Sequence, residues 1–229
     1  LYAALNELNT EEVNITTIED PIEYNLVGIN QTQVHEEIEL SFANILRSIL
    51  RQDPNIIMVG EIRDKETAEI AIRSALTGHL VFSTLHTNDA SSAVSRLTDM
   101  GIEPFLISSS VRLVMAQRLV RRICIECKEE YKPAESIIHD LGLANMDITY
   151  FKGKGCDECN DTGYKGRLAL IELLVMTNEI ASEIQENCTA NHLKKIAMKN
   201  GMIPLRESGI KKVIDGLTTV EEIFRETVL

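Results

Sequence analysis

The sequence predicts an α/β fold built on a parallel sheet, and three observations carry that expectation. Apolar, β-branched runs recur at Val13–Ile18, Asn55–Val59 and His79–Leu85. Segments with apolar residues at helical spacing lie between them, and strands alternating with helices form right-handed parallel units. Each run also leads into groups able to do chemistry: Glu19, Asp20 and Glu23 after the first, Glu61 after the second, Thr84 and His86 after the third. A buried parallel strand delivers the residues that follow it to the carboxyl edge of the sheet, where open α/β sheets bind their ligands.

Taken in order, Leu1 to Leu8 is apolar at helical spacing and stops at Asn9-Thr10, so the chain opens in a helix. Val13–Ile18 is the first strand, and Pro21 ends it. Gly28 and the polar alternation of Val27–Val34 predict an edge hairpin. Ser41 caps a helix whose apolar positions Phe42, Ile45, Leu46, Ile49 and Leu50 fall on one face. Asn55–Val59 is the next strand, and Asp64 caps a helix reaching Leu76. His79–Leu85 is the third strand, with a helix from Asp89 to Met100 behind it. Pro104 opens a broadly apolar segment expected to stay helical to Val120. A Cys- and Gly-bearing stretch, Cys124 to Tyr164, follows; Arg167–Met176 reads as a strand, and Asn178 onward as short helices stopped at Gly201 and Gly216. The expected division is a core at 1–122, a tetracysteine insert at 123–165, a strand returning to the core at 166–177 and a helical C-terminal subdomain at 178–229.

Composition narrows the function. With 229 residues and 44% hydrophobic content the chain can bury a substantial core. Its 23 basic against 35 acidic residues give a net charge of −12, which argues against nucleic acid as the main partner because phosphate binding needs a positive surface. The most apolar stretch, Leu168–Met176, contains Glu172 and is too short to cross a bilayer. No charged-then-apolar signal opens the chain, so the expectation is a soluble, cytosolic protein that meets membranes only through a partner.

Four of the five cysteines form two C-x-x-C pairs, Cys124/Cys127 and Cys156/Cys159. In a chain without export signals this spacing points to metal, and four thiolates make a closed, structural Zn²⁺ site. Reduced unpaired thiols are the alternative, and His139 is a weaker alternative ligand. Cys188, alone on an amphipathic segment, reads as a small buried hydrophobe.

At the strand ends the chemistry fits hydrolysis of a nucleoside triphosphate, which needs a phosphate cradle, Mg²⁺, a carboxylate for the ion and a group to orient water. Glu61 suits the metal side, with Gly60 leaving room for a ligand; Glu19 and Glu23 flank Pro21 and are placed to polarise water. The plain alternative is ordinary solvated acids at loop ends. Arg47 and Arg51, four apart, share a helix face, and His79 and His86 bracket one strand, each as readily a structural group as a functional one. No G-x-x-x-x-G-K-[ST] loop occurs, so the chain reads as cut just downstream of one, with Leu1 continuing the helix such a loop opens.

The run Leu50-Arg51-Gln52-Asp53-Pro54-Asn55-Ile56-Ile57-Met58-Val59-Gly60-Glu61-Ile62-Arg63-Asp64 closely resembles the signature of the type II secretion and type IV pilus assembly ATPases. Asn55 departs from it where the family usually has Asp. The resemblance extends to the family's Asp box at Thr17–Tyr24, its His box at Thr77–His86, and the tail segments Gly201–Arg206 and Gly216–Glu222, covering essentially the whole chain. It implies a RecA-like P-loop NTPase core using ATP and Mg²⁺. By position it makes Glu23 the general base, Glu61 the holder of the Mg²⁺ shell, and Glu19 and Asp20 their support. His86 would sense the γ-phosphate, while Arg47 and Arg96 match positions of nucleotide binding or subunit contact. It also implies a homo-hexamer that hydrolyses ATP to drive pseudopilus or pilus assembly through an inner-membrane platform protein, at the cytoplasmic face of that membrane. The tetracysteine insert marks secretion and pilus-extension members, whereas retraction ATPases lack it. Two alternatives stay open: a non-enzymatic zinc-bearing fragment or interaction module, and a DNA-uptake ATPase of the same superfamily. Lacking a phosphate loop, residues 1–229 alone are expected to bind ATP weakly and not turn it over.

Overall fold

The computed structural model describes residues 1–186 and 189–227; Cys188 lies outside them. The chain forms two compact units, one made of 1–87, 91–112 and 176–193, the other of 88–90, 113–175 and 194–229.

The first unit is organised by a four-stranded sheet of order β2-β1-β3-β4, made of β1 (Ile15–Glu19), β2 (Asn30–Gln33), β3 (Ile56–Val59) and β4 (Leu80–Ser83). All three pairings are parallel. Every residue of β1 and β3 is buried, as expected of inner strands covered on both faces. β2, written Asn-Gln-Thr-Gln, is a polar edge. Helix α1 (Tyr2–Leu8) has no side-chain N-cap and is too short to persist alone, so it is held by burying Leu5 against Ile15, Leu26, Ile56 and Met58. Helix α2 (Phe42–Ile49) starts where the Ser41 hydroxyl accepts from Asn44 N–H, and it buries Phe42, Ile45, Leu46 and Ile49. Helix α3 (Lys65–Leu76) starts where Asp64 accepts from both the N–H and the hydroxyl of Thr67. Helices α4 (Ala90–Asp99), α5 (Pro104–Ser110) and α7 (Asn178–Gln185) follow, the first from Ser91 onward belonging to this unit.

Two expectations change here. Val27–Val34 is no hairpin: β2 runs parallel to β1, with Thr16 opposite Asn30 and Glu19 opposite Gln33. The intervening loop must therefore carry the chain back to the starting end of β1, and it is ordered by side chains of β2, Gln31 accepting from Leu26 N–H and Gln33 from Ile22 N–H. Gly60 does not leave room for a ligand. A Cβ there would sit 3.0 Å from the Ile18 carbonyl oxygen and 3.4 Å from Glu19 Cα, so glycine lets β1 and β3 close together without displacing the β1 backbone.

The second unit is built on an antiparallel ribbon, β5 (Leu113–Ile123) with β8 (Tyr164–Val175), in register from Leu113 opposite Val175 to Arg121 opposite Arg167 and shifted by a bulge before Ile123. Its smaller parts are β6 (Lys128–Glu130), α6 (Glu135–Asp140), β7 (Phe151–Gly153), α8 (Ala190–Lys199, from Lys194 onward), α9 (Leu205–Ile214) and α10 (Val220–Glu226). Val120, Leu141, Leu170, Leu205, Val213 and Ile223 form its core.

The helix expected to reach Val120 thus ends at Ser110, and the residues after it form a strand. Alternating exposure along Leu113–Leu119, a period of two, decides this over the apolar content that suggested a helix. β8 likewise does not return to the parallel sheet; its backbone is satisfied by β5.

Two carboxylates lie 1% exposed in this unit. Glu172 accepts from the N–H groups of Ala90 (2.8 Å) and Leu205 (3.1 Å), the first residues of α4 and α9. Glu222 accepts from Arg121 through the backbone N–H (3.0 Å) and through Nη2 (2.7 Å), and pairs with Arg225 as well. Burial alone would raise the Glu222 pKa, but the Arg121 hydrogen bonds outweigh it and hold the acid below its usual range. Such a lowered folded-state pKa contributes stability above the unfolded value of about 4.3, and that stability is lost as pH falls through the folded value. Glu222→Gln should cost about 1.5–3 kcal/mol at neutral pH, the worth of a hydrogen bond to a charged group. Denaturant unfolding at pH 7 and at pH 3 checks this: the variant should lie closer to wild type at the lower pH, and an equal gap at both would contradict the charge assignment.

Candidate functional site at the carboxyl edge of the sheet

Because β1, β3 and β4 are parallel neighbours, the residues following them emerge at one edge. The Thr84 hydroxyl donates to the Gly60 carbonyl (2.6 Å), and Ile62 N–H donates to the Thr84 carbonyl (3.0 Å). Ile62 is buried, so the residues on either side of it, Glu61 and Arg63, emerge together and pair. His86 Nε2 lies 2.9 Å from the second Glu61 oxygen and must carry the proton, since an ionised carboxylate only accepts. Arg63 also reaches Asp20 at the end of β1, at 3.4 Å. The Glu61 side chain is only 13% exposed. The Arg63 guanidinium holds its carboxyl below the usual range; burial works against this and the His86 bond works with it. Glu61 is therefore an ionised acid with a partner on each oxygen, and the structure gathers Asp20, Glu61, Thr84 and His86 as the sequence predicts.

Glu19 lies elsewhere in the local geometry. It is buried, and accepts from the Tyr2 hydroxyl, the Thr17 hydroxyl and Gln31 Nε2 (3.0 Å). Tyr2 in turn accepts from Glu23 N–H (3.4 Å) and meets Tyr24 edge to face at 4.7 Å. Glu19 thus anchors the loop that carries Glu23, whose own side chain is exposed. Burial, then the Glu19 hydrogen bond, raises the Tyr2 pKa, keeping the hydroxyl protonated as donor.

Other expected residues are not drawn to this edge. Arg47, on α2, pairs with Glu66 of α3 and bonds Asn44. Arg51 and Arg96 are exposed. His79 precedes β4 and therefore sits at the opposite end of that strand, with Nδ1 2.9 Å from the Ser74 carbonyl in the last turn of α3. Arg63, Tyr2 and Gln31 were not singled out from the sequence. Only Arg63 had a readable signal, its i,i+2 spacing from Glu61 across an apolar residue.

In the second unit the four cysteine sulfurs lie within 4.8 Å of one another. Cys124 to Cys156 is 3.9 Å, Cys127 to Cys159 3.8 Å and Cys156 to Cys159 3.7 Å. Disulfides would need about 2.05 Å. A tetrahedron of Zn–S bonds of about 2.3 Å has edges of about 3.8 Å, so the donor set fits one closed Zn²⁺ site. The N–H groups of Cys156 and Gly163 each point at Cys159 Sγ from 3.3 Å. Burial would raise the Cys159 thiol pKa, but these donors bring it down to about 7, while burial pushes Cys156 up to about 12. His139 is exposed on α6 beside Asp140 and takes no part in the cluster.

The profile of the type II/IV secretion system protein family matches residues 1–225. The chain is 51% identical over 230 residues to the type IV pilus assembly ATPase PilB of Thermus thermophilus, covering 99% of this chain and 26% of that protein. It is 50% identical over 228 residues to type II secretion system protein E of Pseudomonas aeruginosa, covering 99% and 45%. The chain therefore spans less than half the length of these relatives. Among solved structures, the pilus retraction motor PilT with bound ADP superposes with a TM-score of 0.72 at 30% identity, over 99% of this chain and 56% of that one. The Legionella pneumophila ATPase DotB shares the fold at a TM-score of 0.66 and 24% identity, over 96% and 53%. With a profile match running almost from end to end and half the residues identical to those of established members, this chain belongs to the type II/IV secretion system protein family.

Proposed function

We propose that the full-length protein hydrolyses ATP as the hexameric motor of a type II secretion or type IV pilus extension machine. The observation that carries this reading is the convergence of Asp20, ionised Glu61, Thr84 and His86 at one sheet edge in a chain of this family. An oxygen-only set of one or two carboxylates suits Mg²⁺, which when bound would supply charge stabilisation to the transferring phosphoryl group. Glu61 would hold the ion's water shell, with Asp20 beside it and Glu19 anchoring the loop from beneath. Glu23 would take the proton of the attacking water; its exposed position on a loop lets it approach a bound nucleotide. His86, exposed and tethered through Glu61, would orient toward the γ-phosphate.

Arg47 and Arg96, both exposed, would serve nucleotide or subunit contacts in a homo-hexamer. The Arg47–Glu66 pair is solvent-exposed and easily exchanged for a neighbouring subunit's phosphate. Force would pass to an inner-membrane platform protein at the cytoplasmic face. No helix among the described residues is long and apolar enough to cross a membrane, which is consistent with attachment through partners. We read residues 123–165 as a zinc-stapled insert; the names of the half-identical relatives and the tetracysteine cluster both favour assembly or secretion over retraction.

In the full-length protein, Glu61→Gln or Glu23→Gln should lower ATP turnover by about 100-fold or more, the usual scale for a lost acid–base or charge-positioning group, with nucleotide binding kept. Near-normal turnover in either variant would return that residue to a structural role. Arg47→Ala should lose activity in assembled protein and not in isolated subunits. Residues 1–229 alone should bind ATP weakly without turnover, and the natural upstream sequence should restore both; robust hydrolysis by the short chain would relocate the phosphate site. Metal analysis should find about one Zn²⁺ per chain, and chelation should melt the insert before the parallel sheet. Protein purified under reducing conditions without zinc would refute the staple.

A further inference from the structure

Arg63 is a cation that touches two acids of the site, Glu61 and Asp20. Its backbone is fixed on both sides, by buried Ile62 bonded to Thr84 and by Asp64 capping α3 through Thr67. Its side chain is 53% exposed and can swing. Its fork spans two strand ends, reaching Glu61 Oε1 and, at 3.4 Å, Asp20 Oδ2. With His86 on Oε2, each oxygen of Glu61 already accepts from a neighbour, and the Arg63 charge competes directly with a cation for this carboxylate. A guanidinium pairs as readily with phosphate oxygens as with carboxylates, and a lysine at the same point would reach only one acid at a time.

We infer that Arg63 is an exchangeable counter-ion: in the nucleotide-free protein it neutralises Glu61 and Asp20, and it leaves them for phosphate oxygens when a nucleotide enters with its divalent cation. The inference rests on the ATPase reading for the identity of the ligand. Its first half, however, is measurable without hydrolysis. Removing the guanidinium leaves two carboxylates without their shared cation, so a divalent cation alone should bind more tightly, while the cation–nucleotide complex, having lost a phosphate partner, should bind less tightly. A side chain that merely braces the fold would move both affinities the same way, or neither.

The experiment uses full-length, zinc-loaded, nucleotide-free protein as wild type, Arg63→Ala and Arg63→Lys, each checked for a cooperative melt. Mn²⁺ alone is titrated by the electron paramagnetic resonance signal of the free ion, and steady-state kinetics give KM and kcat for MgATP. Arg63→Ala should bind Mn²⁺ about fivefold or more tightly than wild type and raise the MgATP KM by a similar factor, the scale of one charge removed at contact distance in a partly screened site. Arg63→Lys, which keeps the charge and loses the fork, should hold Mn²⁺ affinity within about twofold while still raising KM. Unchanged or weakened Mn²⁺ binding in a folded Arg63→Ala would overturn the inference. If Arg63→Ala does not fold, Arg63→Lys decides, since an unchanged KM there is equally fatal. A wild-type protein that never hydrolyses ATP would sink the ATPase reading separately, leaving the Mn²⁺ comparison to judge the counter-ion.

Discussion

The hydrogen bond from Gly60 N–H to the Ile18 carbonyl, 2.7 Å long, carries the β1–β3 ladder one residue past Val59, and the acidic edge depends on it. Glycine favours that closeness, since a Cβ at this position would press on the Ile18 carbonyl oxygen from 3.0 Å. With the ladder closed, Glu61 can leave the sheet on the side where Asp20 leaves β1, and Thr84 can bind back to Gly60 from β4. A slip of one residue in β3 would send Ile62 outward and bury Glu61 and Arg63 in apolar surroundings, because side chains alternate faces along an extended chain. The same register thus protects the core and delivers the chemistry.

The chain is strongly acidic, and its buried or half-buried acids persist because each has specific donors. Glu19 has Tyr2, Thr17 and Gln31; Glu61 has Arg63 and His86; Glu172 has two helix N-termini; Glu222 has Arg121 and Arg225. An unpaired buried carboxylate would cost several kcal/mol. These partners do different jobs, however. Those of Glu172 are two backbone N–H groups inside a packed unit, suited to a fixed structure, and Glu222 adds a backbone N–H to its two half-exposed arginines. Those of Glu61 are long, exposed side chains, suited to exchange.

The cysteine cluster solves a different problem. The strands β6 and β7 are three residues each. The backbones of Gly153 and Gly163 approach so closely that a Cβ on Gly153 would lie 2.0 Å from the Gly163 carbonyl oxygen. Such a crossing needs the absence of side chains, and four cysteine sulfurs converge beside it, with Gly163 N–H bonded to Cys159 Sγ.

By itself the sequence determined the features that rest on local chemistry. Buried β-branched runs announced β1, β3 and β4; the caps Ser41 and Asp64 announced α2 and α3; the C-x-x-C pairs announced four converging sulfurs; and the residues after each strand announced the acidic edge. Tertiary structure decided the rest, because nothing local encodes it. Whether Asn30–Gln33 runs parallel or antiparallel to β1 depends on where its loop returns the chain, and the apolar content of Leu113–Ile123 suits helix or strand until β8 supplies a ladder. The sequence could not show that Glu19 turns inward to a tyrosine of α1, nor that Gly60 is filled by a neighbouring strand. His79 and His86 look alike as residues flanking one strand; only the parallel sheet places one on a helix end and the other on Glu61, because a strand has two ends and the ligand edge is just one of them.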